Sequence, residues 1–185
     1  MIENLIPTPS QTVGPFFHLG LTAGRDLGRL AGPDCKGERI RLVCRVLDVG
    51  GLPVDDALVE IWQADAEGNY VNVPNRAFRG FGRLCTDQGG VSTFETVMPG
   101  RVEQTDGAVQ APHINVLIFA RGLLKQLATR IYFTGAPGNG SDPILQLVPE
   151  DRRDTLMAHR DASAPRTWNF EIRLAGDDET VFFDI

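Results

Sequence analysis

The chain holds few side chains able to do chemistry: two tyrosines (Tyr70, Tyr132), three histidines (His18, His113, His159) and three cysteines (Cys35, Cys44, Cys85). The cysteines form neither a CxxC pair nor an even disulfide set and read as reduced thiols, which favours the cytoplasm. Cys44 and Cys85 lie in apolar segments, where a small buried hydrophobe is the expected role. Tyr132 stands in the run Thr129–Phe133, and a tyrosine so placed is usually a core residue with a bonded hydroxyl. His18 sits on a proline-rich N-terminal segment and His159 at the end of a charged stretch; neither reads as a ligand. The net charge is −6 and the arginines are scattered singly or in pairs. A nucleic acid or an anionic membrane would need a basic stripe, and none is present. An anionic small molecule would be met by a few placed guanidiniums and not by a global field.

The elements that must position these groups begin with an arm. Pro7, Pro9, Gly14 and Pro15 within so short a span rule out a helix there, because each proline removes a donor and pushes the preceding residue toward extended geometry. The same span carries Val13, Phe16 and Phe17, and burying each phenylalanine stabilises by about 1.5–3 kcal/mol. The arm is therefore expected to lie against its own domain or a partner chain. Beyond it, Arg39–Leu47 alternates Ile40, Leu42, Cys44 and Val46 against Arg41 and Arg45, the pattern of a half-buried strand. Turns at Asp48–Pro53 and Asp87–Gly90 separate it from strands predicted over Ala57–Gln63 and Val91–Val97. Three more strands are predicted over His113–Ala120, Leu127–Phe133 and Arg166–Leu174.

Helical signal is thin. Pro149-Glu150-Asp151 ahead of Arg152–His159 reads as a helix start, and a short helix between Thr22 and Leu30 is weakened by Gly24 and Gly28. Strands spaced by turns with little helix predict an all-β fold: an antiparallel two-sheet β-sandwich with an extended N-terminal arm and one or two short helices. A length of 185 residues, 42% hydrophobic and 23% charged, fits one soluble domain over residues 1–185, with 1–20 as the arm. The first residues lack the basic and apolar regions of a signal peptide, and no apolar run reaches membrane-spanning length.

A resemblance sharpens this reading. Thr8-Pro9-Ser10-Gln11-Thr12-Val13-Gly14-Pro15-Phe16-Phe17 is followed by Gly51-Leu52-Pro53-Val54 and Val59-Glu60-Ile61-Trp62-Gln63-Ala64-Asp65-Ala66. Then come Phe81-Gly82-Arg83, Ala111-Pro112-His113-Ile114-Asn115, Thr129-Arg130-Ile131-Tyr132-Phe133 and Phe182-Phe183-Asp184. In that order, end to end, these motifs resemble the intradiol ring-cleavage dioxygenases. The resemblance implies a two-sheet sandwich with long loops at one end. It also implies a ferric site of two tyrosines and two histidines, since phenolates are hard anionic donors that stabilise Fe(III). The histidines fall in a His-x-His pair on a strand, whose period of two aims both rings to one side.

Laid on that pattern, Tyr70 matches the first tyrosine ligand and His113 the first histidine. Asn115 replaces the second histidine, the second tyrosine falls at about Val102, and an assisting arginine is Gln110. With two of four ligands gone, the resemblance implies a chain with no metal site and no catalytic residue of its own. It implies instead a hetero-oligomer with a homologous beta chain that carries Fe(III). That partner cleaves protocatechuate (3,4-dihydroxybenzoate) with O2 to 3-carboxy-cis,cis-muconate. In this chain Thr12, Gly14 and Pro15 on the arm, with Arg130, would line the substrate pocket. Arg130 offers a cation for an aromatic carboxylate, and Gly14-Pro15 lets backbone approach a flat ring. Each has a plainer counterpart: Arg130 paired with an acid at a strand end, Thr12 capping a turn, Gly14 supplying a positive φ, Pro15 stiffening the arm. Two other readings stand beside this one, a self-sufficient iron dioxygenase with atypical ligands and a transthyretin-like binding module without oxygen chemistry.

Overall fold

The computed structural model describes residues 7–14, 16–22, 27–71 and 77–184. Strands form where the apolar patterning and turns predict them: β1 (Arg39–Leu47), β2 (Leu58–Gln63), β4 (Val91–Val97), β7 (His113–Phe119), β8 (Leu127–Phe133) and β10 (Thr167–Arg173). Short strands β3 (Phe81–Cys85), β5 (Val102–Glu103), β6 (Val109–Gln110) and β9 (Met157–Arg160) complete the set among the described residues.

The arrangement is not the antiparallel two-sheet sandwich expected from the sequence. Eight strands form one mixed sheet in the order β3-β2-β7-β8-β9-β10-β1-β4, nearly a barrel, and β5-β6 form a small second sheet. Two pairings are parallel, β1 with β10 and β8 with β9. The reason lies in β9. Its first residues pair with β8 (Tyr132↔Met157, Phe133↔Ala158) and its last with β10 (Asn169↔His159, Trp168↔Arg160), so four residues stitch two four- and three-stranded halves into one sheet. That stretch was read as helix. Instead a 3-10 segment (Glu150–Leu156) with acidic residues in its first turn runs straight into the strand.

The two edges, β3 and β4, nearly close the barrel. A side chain at Gly82 would lie 2.7 Å from Leu30 and 3.1 Å from Phe94 of β4, so only glycine admits this approach. The segment around Leu27–Gly32 fills the remaining gap, with Leu30 N–H donating to Glu95 O and Arg83 N–H donating to Leu27 O. Inside, Leu42, Phe94, Ile61, Ile114, Ile131, Phe133 and Phe170 share one core. Gln63, fully buried, ties β2 to β4 across it: its amide donates to Val97 O at 3.0 Å and accepts from Thr96 Oγ1 at 2.8 Å.

A second correction concerns the arm. A short helix α1 (Phe17–Thr22) begins before residue 20, opened by the turn in which Phe17 N–H donates to Gly14 O. The prolines govern only the residues before it. No helix among the described residues is long and apolar enough to cross a membrane.

Candidate functional site

On β7 the core takes Ile114, Val116 and Ile118, so His113, Asn115 and Leu117 point to the other face of the sheet. On β8 the cross-strand partners of His113 and Asn115 are Tyr132 and Arg130. The Asp65–Tyr70 turn and the β5-β6 hairpin fold over this face. Gly68 (φ +88°) and Gly100 bring them together, because a side chain at Gly68 would collide with the carbonyl of Arg101. Tyr70 and Val102 thereby arrive beside β7. They line a cavity of about 620 Å³ together with Trp62, Gln110, Asn115 and Arg130.

The polar atoms at its floor form a closed chain. His113 Nδ1 lies 2.8 Å from the carbonyl of Ala111 and must donate to it, since a carbonyl only accepts. Burial pushes the imidazole down to about 4, with the Arg130 charge a smaller cause in the same direction, so the ring is neutral. Nε2 is then an acceptor, and Tyr70, 3.0 Å away, donates its O–H to it. Burial holds the Tyr70 phenol above its ordinary range, which keeps that proton in place. Asn115 Nδ2 completes the chain by donating to the Tyr70 oxygen at 2.9 Å. Of the four positions matched to metal ligands, Tyr70 and His113 are bonded to each other, Asn115 contributes a neutral amide, and Val102 has no donor atom. With the Tyr70 hydroxyl donating to His113 Nε2, the imidazole lone pair is engaged within the chain. As a donor set for ferric iron this does not fit, because that ion calls for anionic phenolates.

Next to this cluster is a polar knot that sequence reading missed. Asp142, fully buried, accepts from Tyr132 Oη (2.9 Å), Ala111 N (2.7 Å), Ile144 N (2.9 Å) and Leu145 N (2.8 Å). Burial raises the Tyr132 phenol far above its usual range, so it serves as a donor. Tyr132 is thus the core tyrosine with a bonded hydroxyl that its setting predicted. The available signal for Asp142 was the dipeptide Asp142-Pro143, a turn initiator.

The residues expected at the substrate do not converge within this chain. Arg130 faces the cavity and its Nη1 donates to Gln110 Oε1 at 3.1 Å. Thr12 lies at the other end of the β7-β8 hairpin, where its Oγ1 accepts from Gly122 N at 2.7 Å. Phe17 packs on Phe119 there, ring centroids 5.5 Å apart. Gly14 has open space around it and no positive φ, so its plainer role as a left-handed turn residue is not met. Pro15 lies outside the described residues, as does the side chain of His18. His159 is exposed, its Nδ1 3.2 Å from Thr134 Oγ1. Cys44 is fully buried and burial pushes its thiol up to about 12, the inert role read for it. No cluster of three or more His, Cys, Asp or Glu side chains able to hold a metal occurs among the described residues.

Comparison with known proteins follows the same lines. A family profile described as Dioxygenase matches residues 12–176. The protocatechuate 3,4-dioxygenase alpha chain of Pseudomonas putida is 43% identical over 99% of this chain and 98% of its own length. That of Burkholderia cepacia is 44% identical over 100% of both. The beta chain of the Burkholderia cepacia enzyme is 38% identical over 78% of this chain and 67% of its own. Among solved structures, the dioxygenase domain of a dioxygenase carbohydrate-binding protein fusion from Streptomyces sp. SirexAA-E superimposes with a TM-score of 0.66. It is 26% identical and the match covers 92% of this chain and 99% of that one.

Proposed function

This chain belongs to the intradiol ring-cleavage dioxygenases, and from that premise we propose that it is the alpha subunit of a protocatechuate 3,4-dioxygenase that holds no iron itself. The family's chemistry depends on non-heme iron. In this reading the ferric ion belongs to a homologous beta chain, and the two chains together cleave 3,4-dihydroxybenzoate with O2 between its hydroxyl-bearing carbons. The observation that carries the reading is the closed Tyr70–His113–Asn115 network, in which the would-be ligands satisfy one another. Full-length similarity to alpha chains, against partial similarity to a beta chain, supports the same assignment.

What this chain supplies is positioning. Thr12 and Gly14 lie on the arm, which is pinned to its own hairpin by the Thr12–Gly122 bond and the Phe17–Phe119 contact. Phe16, 77% exposed, and Leu19, 50% exposed, project from it toward what we take to be the partner. An arm held this way meets the partner's substrate pocket with its backbone already ordered, which lowers the entropy of assembling the site. Arg130 is the cation for the substrate's carboxylate.

Co-expression with the homologous beta chain tests the assignment. The chain purified alone should lack iron and ring-cleavage activity, and the co-expressed complex should be coloured and active. Turnover by the lone chain would overturn it.

A further inference from the structure

The chain is acidic overall, with a net charge of −6, yet one hollow on its surface is lined by four arginines: Arg29, Arg39, Arg41 and Arg166. It shares no lining residue with the cavity beside Trp62 and lies in the half of the sheet built from β10, β1 and β4. The core takes Ile40 and Leu42 of β1, so Arg39 and Arg41 turn to the other face. Register then sets a row across the sheet. Arg41 sits opposite Thr167 of β10 on one side and Glu95 of β4 on the other, and Arg29 bridges to Glu95 from the segment that closes the barrel. Arg166 precedes Thr167, and its carbonyl accepts from Arg41 N at 2.8 Å. With neighbouring strands about 4.8 Å apart, the four side chains rise from a patch about 15 Å wide.

One carboxylate borders the hollow: Glu95, whose Oε2 lies 3.0 Å from Arg29 Nε. Arg39 spends its guanidinium on neutral acceptors, with Nη1 donating to Ala31 O at 2.9 Å and Nη2 to the carbonyls of Gly32 and Pro33. Those bonds orient the cation without neutralising it. Arg41 and Arg166, both exposed, pair with no carboxylate among the described residues. Four cations against one acid leave a surplus of three positive charges. Composition does not account for that surplus, because acids outnumber bases in the chain by 24 to 18. A hollow lined by one sign of charge concentrates counter-ions. Arg29 and Arg39 are already held in place, so less side-chain freedom is lost when an anion arrives. A single hollow of about 480 Å³, with no basic stripe leading from it, suits a small anion and not a polymer.

We propose that this hollow binds a small, multiply charged oxyanion, either inorganic phosphate or a short dicarboxylate. The planar edge of a guanidinium matches a pair of oxygens on either, a bidentate contact that a monatomic anion does not make. Arg41 and Arg166 hold the anion from β1 and from the entry to β10, and Arg29 holds it from the segment that fills the gap between β3 and β4. The bound anion thereby ties the closing segment to the sheet and stabilises the closed barrel by mass action. The site needs neither iron nor turnover and stands or falls separately from the reading above.

The test is calorimetric titration of the full-length chain, with any chain that co-purifies, at constant ionic strength. The probes are inorganic phosphate, succinate, acetate and chloride. Phosphate or succinate should saturate with a Kd of about 1 mM or tighter, and acetate and chloride should bind at least about tenfold more weakly. Whichever of the first two binds more tightly identifies the source of the anion. Arg41→Gln combined with Arg166→Gln should weaken that binding at least about tenfold, whereas Glu95→Gln, which frees Arg29, should tighten it at least about twofold. The same anion should raise the melting temperature of the wild type and leave that of the double variant unchanged. Circular dichroism identifies a variant that misfolds, and if the double variant does so, Glu95→Gln decides: affinity equal to or below that of the wild type overturns the proposal. Absence of saturable binding by phosphate and succinate, acetate binding as tightly as either, or equal affinity in the wild type and a folded double variant would also overturn it.

Discussion

The two ends of the β7-β8 hairpin treat their chemistry in opposite ways. At the His113 end the phenol, the imidazole and the Asn115 amide nitrogen find partners inside the chain: phenol to imidazole, amide to phenol, imidazole to carbonyl. At the Gly122 end the arm is fastened by one hydroxyl and one ring contact, and it leaves Phe16, Leu19 and Leu124 in the open. Hydrogen bonds between side chains of β7 and the Asp65–Tyr70 turn hold the closed end in shape. The open end is not complete by itself, since exposed phenyl and isobutyl groups gather where they can be covered. In one hairpin, then, the polar side chains at one end bond to one another, and the apolar side chains at the other end face outward.

Removing the knot behind the closed end is the most disruptive way to break this contrast. Asp142→Ala strands Tyr132 Oη and three backbone N–H groups around a fully buried position. A loss of about 4 kcal/mol is expected in urea unfolding, since each buried unsatisfied group costs about 1–3 kcal/mol and the effects are not additive.

Acid attacks the same end through His113. The unfolded imidazole takes up a proton near pH 6.5, whereas burial makes the folded ring refuse it until about 4. The stability this represents is fully present above pH 6.5 and is lost as the pH falls toward 4. It amounts to about 3 kcal/mol, from 1.36 kcal/mol per pKa unit. Urea midpoints measured between pH 7 and 4 should fall accordingly, and His113→Gln should flatten that slope even though it lowers the plateau.

The open end should respond in the opposite way. Phe16→Ser with Leu19→Ser should change the unfolding free energy of the lone chain by no more than about 0.5 kcal/mol, the usual range for surface changes. Association with the beta chain, measured by analytical ultracentrifugation, should weaken. A large loss of intrinsic stability with unchanged association would erase the contrast between the two ends.

Much of this was legible in the sequence, and what was missed shares a physical cause. A period of two reports which face of a strand is buried, so β1, β4 and β8 were found to the residue. It says nothing about which strand lies alongside or in which direction. That is why β9, four residues with two partners, turned an expected sandwich into one mixed sheet. At the site, the motif positions of Tyr70, His113 and Asn115 were readable, but their mutual bonding was not. It depends on a glycine-mediated approach of two loops, Asp65–Tyr70 and Gly100–Val102, that are far apart in the chain. The contact of Arg130 with Gln110 likewise joins β8 to the β5-β6 hairpin, a pairing no local pattern encodes.

The central claim is that the Tyr70 hydroxyl donates to His113 Nε2 and engages the imidazole lone pair within the chain. Ferric iron titrated into the purified chain, with the visible spectrum recorded before and after Tyr70→Phe, tests it directly. The account predicts no phenolate-to-iron charge-transfer band in the wild-type chain and no spectral difference from the variant. A stoichiometric band that disappears with Tyr70→Phe would contradict it.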